Sequence, residues 1–141
     1  MENLYRSVSG AAAALAGLFA PTLPLLSCAG LFIAVDFLTG AAASRAEARR
    51  RSTEWWFESA EAWRTVQKAV LVAAGIVMAW TIDRCILDFL DLHAAKLFTG
   101  FVCGVEFWSF LENASQLSDA PLFRWLKRYV HRRIRKEVGD E

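Results

Sequence analysis

The stretch LFIAVDFLTG, residues 31–40, places one carboxylate, Asp36, inside an otherwise apolar run. No charged residue occurs between positions 7 and 35. About 20 mostly apolar residues suffice to cross a bilayer, and further charge-free runs follow at 69–82 and 97–105. The pattern predicts an all-α integral membrane protein, and a carboxylate placed there must be shielded from lipid.

The amino-acid composition also indicates a membrane protein. Hydrophobic residues make up 55 % of the 141-residue chain, and the mean hydropathy is +0.28. A water-soluble domain this short hides its apolar residues behind a charged surface, whereas here charge and apolar runs are segregated along the sequence. Three to four transmembrane helices account for that segregation.

Proline positions divide the apolar part of the chain. Pro21 and Pro24 are tolerated in the first turn of a helix and not in its interior, so the first apolar region splits in two. A short Ala-rich helix is predicted first, marginal in length for a crossing, and full spans follow. The predicted helices are 8–20, 22–43, 66–90 and 94–117, all within one transmembrane domain, residues 1–120.

Two predicted segments lie outside the spans. Residues 44–65 form a loop in which Trp55, Trp56 and Trp63 stand among charged residues, as in an amphipathic segment at the headgroup level. Residues 121–141 form a basic amphipathic tail helix. Its seven basic residues favour anionic lipid over nucleic acid as partner, at about 1 kcal/mol for each basic residue. They are Arg124, Lys127, Arg128, Arg132, Arg133, Arg135 and Lys136.

The net charge of +1 conceals an asymmetry that predicts topology. Lys and Arg crowd the loop 44–65 and the tail, whereas only Arg84 and Lys96 fall between the last two spans. Cytoplasmic segments carry the excess of basic residues. The loop and the C-terminus are therefore predicted in the cytoplasm, and residues 83–96 outside.

Polar residues within the spans are the candidate functional positions. Asp36 lies toward the cytoplasmic end of its span, on the side where Lys68 begins the next, so an interfacial salt bridge and a functional role both stay open. The fourth helix carries one polar stripe, which faces either a hydrogen-bonded helix seam or a water-filled lumen. Its members are Thr99, Glu106, Ser109, Asn113 and Gln116.

Enzymatic and cofactor chemistry find little support in the sequence. Asp36 and Asp83 are predicted near opposite membrane faces, as are His93 and His131, and no phosphate loop or metal-ligand spacing occurs. We therefore expect no catalytic residue, metal or cofactor. The three cysteines, at positions 28, 85 and 103, are expected to be buried packing residues.

Three motifs resemble one known family. VDFLTG at 35–40 resembles the Asp-x-x-Thr-Gly signature of the phage holin and toxin-secretion holin-like family. WRTVQK at 63–68 and VEFWSFLEN at 105–113 are similar to later signatures of its Bacteroides-type members, the second being Glu-x-x-Ser-x-x-Glu-Asn. The positions that match the motifs are Asp36, Thr39, Gly40, Lys68, Glu106, Ser109, Glu112 and Asn113.

The resemblance implies a function. Such a protein oligomerises in the bacterial inner membrane and forms lesions or pores through which an endolysin or a toxin leaves the cell. An antiholin, or an anchoring subunit of a phage-derived secretion apparatus, is the alternative. An enzyme or transporter that uses Asp36 and Glu106 is a weaker third hypothesis.

The predicted topology can be tested by thiol labelling. In a variant whose native cysteines are replaced by serine, we expect a membrane-impermeant maleimide to label Leu92→Cys in intact spheroplasts. Thr53→Cys should be labelled only after the membrane is permeabilised, because it lies in the basic loop. The reverse labelling pattern would overturn the assignment.

Overall fold

A computed structural model describes residues 2–56, 59–87, 89–90, 92–118 and 121–138. These ranges are almost wholly helical and contain no strand, which confirms the all-α prediction. The elements in chain order are α1 (Glu2–Phe19), a 3₁₀ turn (Ala20–Thr22), α2 (Leu23–Arg50), α3 (Ser59–Thr81), a π-helical turn (Ile82–Ile86), α4 (Ala94–Leu117) and α5 (Pro121–Val138).

Three helical segments of the described chain are long and apolar enough to cross a membrane: Ala20–Arg50, Ser59–Ile86 and Ala94–Leu117. At 1.5 Å per residue, the 24 residues of α4 extend about 36 Å, enough for a hydrocarbon core of about 30 Å. The predicted multi-span membrane protein is confirmed. The short N-terminal helix α1 is not among these segments.

The second helix is longer than the sequence predicted. It was expected to end at residue 43, but α2 continues to Arg50. The added residues, SRAEARR, are mostly strong helix formers. Arg49 and Arg50 lie in the last turn, where basic side chains favour the negative end of the helix dipole, and Arg51 pairs with Glu47 at 2.6 Å.

The loop is correspondingly shorter than the predicted 44–65. Residues 53–56 are non-helical and α3 begins at Ser59, so Trp55 and Trp56 do not lie on an amphipathic helix. Trp55 instead folds back on α2: its Nε1 donates to Ser44 Oγ at 3.3 Å. The Arg45 guanidinium lies 5.7 Å from the centre of the Trp55 ring.

The third helix ends earlier than predicted. It was expected to reach residue 90, but α3 gives way to the π-helical turn after Thr81. That turn brings the Asp83 carboxylate to the start of α4, where Oδ1 accepts from Ala94 N at 2.8 Å and Oδ2 from Ala95 N at 2.9 Å. His93, the residue before α4, is left-handed and its side chain does not cap the helix, so Asp83 satisfies these amides instead.

The main packing interface joins α2 and α4. Cys28 lies opposite Cys103, and farther along both helices Asp36 lies opposite Asn113, so the two helices run parallel. Small buried residues bring the helices together, including Ala29 at 1 % exposure. α3 runs antiparallel to both and covers the interface from one side.

A glycine sets the approach of α3 to α4. A Cβ built on Gly75 would lie 2.6 Å from Phe98 Cζ, closer than real Cβ contacts allow. Gly100 and Gly104, whose spacing permits close packing by another helix, have open space around them within the chain. Of these three glycines, Gly75 is therefore the one where an added side chain would have to displace a neighbour, the Phe98 ring.

Enlarging this glycine should separate the two helices. We expect Gly75→Leu to destabilise the protein by about 1–3 kcal/mol, the usual effect of overpacking, measured as loss of helicity during SDS titration from bicelles. Gly100→Leu is the matched control and should have a much smaller effect. Phe98→Ala should rescue Gly75→Leu in part; equal destabilisation with and without Phe98 would refute the contact.

Candidate functional site

Four polar side chains from three helices meet inside the bundle. We call this group, made up of Asp36 on α2, Lys68 on α3, and Glu106 and Asn113 on α4, the polar cluster. The Lys68 ammonium lies 2.7 Å from Glu106 Oε2 and 3.8 Å from Asp36 Oδ2. Asn113 Nδ2 donates to Asp36 Oδ1 at 3.1 Å.

Helix periodicity explains why α4 supplies two members. Seven residues separate Glu106 from Asn113, two helical turns at 3.6 residues per turn, so both project from the same face. Thr99 lies a further seven residues toward the N-terminus on that face; it is buried, and its hydroxyl donates to Ala95 O at 2.7 Å. Thr99, Glu106 and Asn113 therefore lie in a seam between helices of this chain, whereas Gln116, at the end of the predicted stripe, is exposed.

The charged side chains of the polar cluster differ in their exposure. The Glu106 side chain is 6 % exposed, Asp36 17 % and Lys68 40 %. A charge buried in a span is stable when it is paired and hydrogen-bonded, and Glu106 meets both conditions through Lys68. The aliphatic stem of Lys68 lets its ammonium reach the carboxylates from the edge of the bundle.

The polar cluster lies nearer the cytoplasmic ends of the spans under the predicted topology. Lys68 is nine residues into α3, about 14 Å from its first residue. One ammonium thus faces two carboxyl groups, and Asp36 receives an additional hydrogen bond from Asn113.

Thr39 and Gly40 support the polar cluster without joining its ion pairs. The Thr39 hydroxyl donates to the carbonyl groups of Val35 and Asp36 on its own helix, at 2.9 and 3.0 Å. Gly40 faces Asn113: a Cβ there would lie 3.4 Å from Asn113 Nδ2, an ordinary van der Waals distance.

The remaining predicted positions lie elsewhere on α4 and α5. Ser109 and Glu112 are half-buried, and Gln116 is exposed with its carbonyl accepting from Arg50 at 3.2 Å. On α5, four arginines are exposed: Arg128, Arg132, Arg133 and Arg135. Arg124, Lys127 and Lys136 belong to the same helix, α5, which spans Pro121–Val138.

Sequence reasoning missed two features near these positions. Cys28 and Cys85 are exposed, so the prediction of buried packing cysteines holds only for Cys103. Cys28 and Cys103 are 75 positions apart, and Asp83 lies 11 positions before Ala94 across a turn, so the periodicity of a single helix marks neither contact. Within the described residues, no group of three or more potential ligands is arranged to hold a metal ion.

Comparison with known proteins gives one match. The model described as the bacteriophage holin family matches residues 13–132, most of the chain, including all four residues of the polar cluster. No curated protein and no solved structure matches the chain.

The pairing in the polar cluster can be tested by a double-mutant cycle. We expect Lys68→Met to destabilise the protein by about 1–2 kcal/mol, less than the about 3–5 kcal/mol of a fully buried pair because Lys68 is 40 % exposed. Lys68→Met combined with Glu106→Leu should recover part of this loss, because no unpaired carboxylate then remains at position 106.

The measurement is SDS titration of helicity, with Lys96→Met as the control for removing an exposed lysine; that variant should stay within about 0.5 kcal/mol of the parent. If the destabilisation of the double variant equals the sum of the two single destabilisations within about 0.5 kcal/mol, Lys68 and Glu106 are not coupled.

Proposed function

Because the chain belongs to the bacteriophage holin family, whose model matches residues 13–132, we propose that this multi-pass membrane protein oligomerises in the bacterial inner membrane and forms lesions there. The lesions release an endolysin, or a toxin that lacks its own export signal. The polar cluster is the observation that carries the proposal, since it gathers motif residues from all three spans at one place.

The polar cluster suits a protein with two states. In a single chain the two carboxylates face inward and are paired, and lipid meets a mostly apolar exterior, so the monomer is stable in the bilayer. A lesion needs polar surface in contact with water. Separation of α2 and α3 from α4 exposes Asp36, Lys68 and Glu106 to water, and hydration then replaces their mutual pairing.

The apolar exterior supports self-association. One side of α3 exposes Val66, Val70 and Met78. Their exposure supplies a surface on which copies of the chain pack against one another or against lipid. Helix association in lipid depends on packing and interhelical hydrogen bonds, and polar groups released from the polar cluster strengthen contacts between copies in the same way.

The tail helix α5 supports a cytoplasmic C-terminus and anionic lipid as a partner. Trp125 and Tyr129 stack with ring centres 5.5 Å apart, and both are exposed beside exposed Arg128 and Arg132. Aromatic and basic side chains together are typical of a surface that lies on anionic headgroups. Together with the distribution of basic residues, this surface supports the proposal that α5 and the C-terminus lie on the cytoplasmic face.

One observation favours the alternative of an antiholin or anchoring subunit. The polar cluster is satisfied within one chain: Lys68 contacts both carboxylates, and Asn113 bonds to Asp36. A chain that keeps this arrangement in an oligomer leaves both carboxylates paired inside the bundle and does not line a water-filled pore with them. Such a chain delays lysis by a separate pore former instead of causing it.

The two functions differ in their effect on cells. We expect expression together with a cytoplasmic muralytic enzyme to cause abrupt lysis after a delay, and expression alone to admit a membrane-impermeant dye. Absence of dye entry, combined with delayed lysis by a known holin, would replace this proposal with the antiholin function.

Substitutions at Asp36 distinguish assembly from pore lining. If Asp36 acts in assembly, Asp36→Asn retains the crosslinked oligomer ladder better than Asp36→Leu, because Asn preserves shape and hydrogen bonding. If it lines the pore, both variants assemble and Asp36→Asn reduces cation selectivity in planar bilayers. Glu54→Gln, which removes a carboxylate from the loop, is the matched control. Parental behaviour in all variants would remove Asp36 from the mechanism.

A further inference from the structure

Two thiols meet in the interface between α2 and α4. Cys28 Sγ and Cys103 Sγ lie 3.8 Å apart, although 75 positions separate the residues in sequence. Cys103 is 8 % exposed within the interface, whereas Cys28 is exposed at its margin. The third cysteine, Cys85, lies in the π-helical turn and is exposed.

The surroundings hold this pair together. Ala29, next to Cys28, is 1 % exposed, and Val102, next to Cys103, is 9 % exposed, so small or closely packed residues flank the contact. The two thiols also lie at similar depth, eight residues from Ala20 and nine from Ala94, or about 12 and 14 Å along their helices. A disulfide has a sulfur–sulfur distance of about 2.05 Å, so bond formation requires the sulfur atoms to approach by about 1.8 Å.

We propose that Cys28 and Cys103 form a reversible redox site, in which a disulfide oxidant converts the two thiols into a cross-link between α2 and α4. Side-chain rotation and a small helix adjustment bring the sulfur atoms together. Cys85 takes no part, because the contact of Cys28 is with Cys103 on α4.

The reaction proceeds by two thiol–disulfide exchanges. Cys28 Sγ, the exposed sulfur, loses its proton and attacks one sulfur of the oxidant, which releases one thiolate and leaves a mixed disulfide on Cys28. Cys103 Sγ then loses its proton, attacks Cys28 Sγ and displaces the second thiolate. The two released thiolates take up the two protons, so the protein loses two hydrogens and the oxidant is reduced to two thiols.

The cross-link restrains the movement that the proposed function requires, and this consequence rests on that function. Asp36 lies on α2 and Glu106 on α4, on the same two helices that the disulfide joins. Oxidised chains therefore keep α2 beside α4 and the polar cluster closed. Reduction releases the restraint.

The site can be tested in membranes with 4,4′-dithiodipyridine, a membrane-permeant disulfide, acting on the Cys85→Ser variant. We expect two molecules of thiopyridone to be released for each chain, and a protein mass lower by two hydrogens, with Cys28 linked to Cys103 in the peptide map. Cys103→Ser in the same background should release one thiopyridone and retain a mixed disulfide. A lasting mixed disulfide in the Cys85→Ser protein, or dimers linked through Cys28, would disprove the site.

Release of a trapped dye from proteoliposomes tests the restraint. The oxidised Cys85→Ser protein should lose dye release, and dithiothreitol should restore it, whereas Cys28→Ser in the same background should be unaffected by the oxidant. Unchanged release from a cross-linked protein refutes the restraint. If the reduced protein releases no dye, the proposed function fails, while peptide mapping still decides whether the disulfide forms.

Discussion

The Lys68 ammonium, held between carboxylates from two other helices, is the interaction on which the arrangement of the spans depends. Lipid offers no hydrogen bonds, so Asp36 and Glu106 are compatible with spans only where protein groups satisfy them. Lys68 contacts Glu106 at 2.7 Å and Asp36 at 3.8 Å, and thereby fixes the relative rotation of α2, α3 and α4. Apolar packing alone leaves that rotation weakly specified, because lipid is as apolar as the side chains it replaces.

Much of the fold follows from local sequence. Charge-free runs and Pro21 and Pro24 indicated helices and their number, because a bilayer imposes length and apolarity directly on the chain. The helix boundaries were predicted less well where helix propensity and hydropathy disagree. Residues 44–50 are charged, which suggested a loop, yet Ala, Arg and Glu are strong helix formers and α2 continues through them. Hydropathy reports where a helix leaves the membrane and not where it ends.

The residues of the polar cluster could be predicted from the sequence, but their pairing could be predicted only in part. Helical periodicity placed Thr99, Glu106 and Asn113 on one face of α4, and the side of the membrane shared by Asp36 and Lys68 suggested that these two pair. The shorter contact of Lys68 is with Glu106, and Asn113 bonds to Asp36. These partners follow from the parallel packing of α2 with α4, which depends on contacts between residues distant in sequence.

The Asp83 carboxylate, bonded to the first two amides of α4, has a mechanical consequence. It fastens the π-helical turn that follows α3 to the first turn of α4, so this end of the helix pair acts as a pivot for movements of the rest of α4. Glu106 lies 12 residues beyond Ala94, about 18 Å from the pivot. A rotation of about 5° there displaces Glu106 by about 1.6 Å and the far end of α4 by about 3 Å. The lever arm converts a small change of angle at this pivot into a displacement large enough to break the 2.7 Å ion pair between Lys68 and Glu106, about 18 Å away along α4.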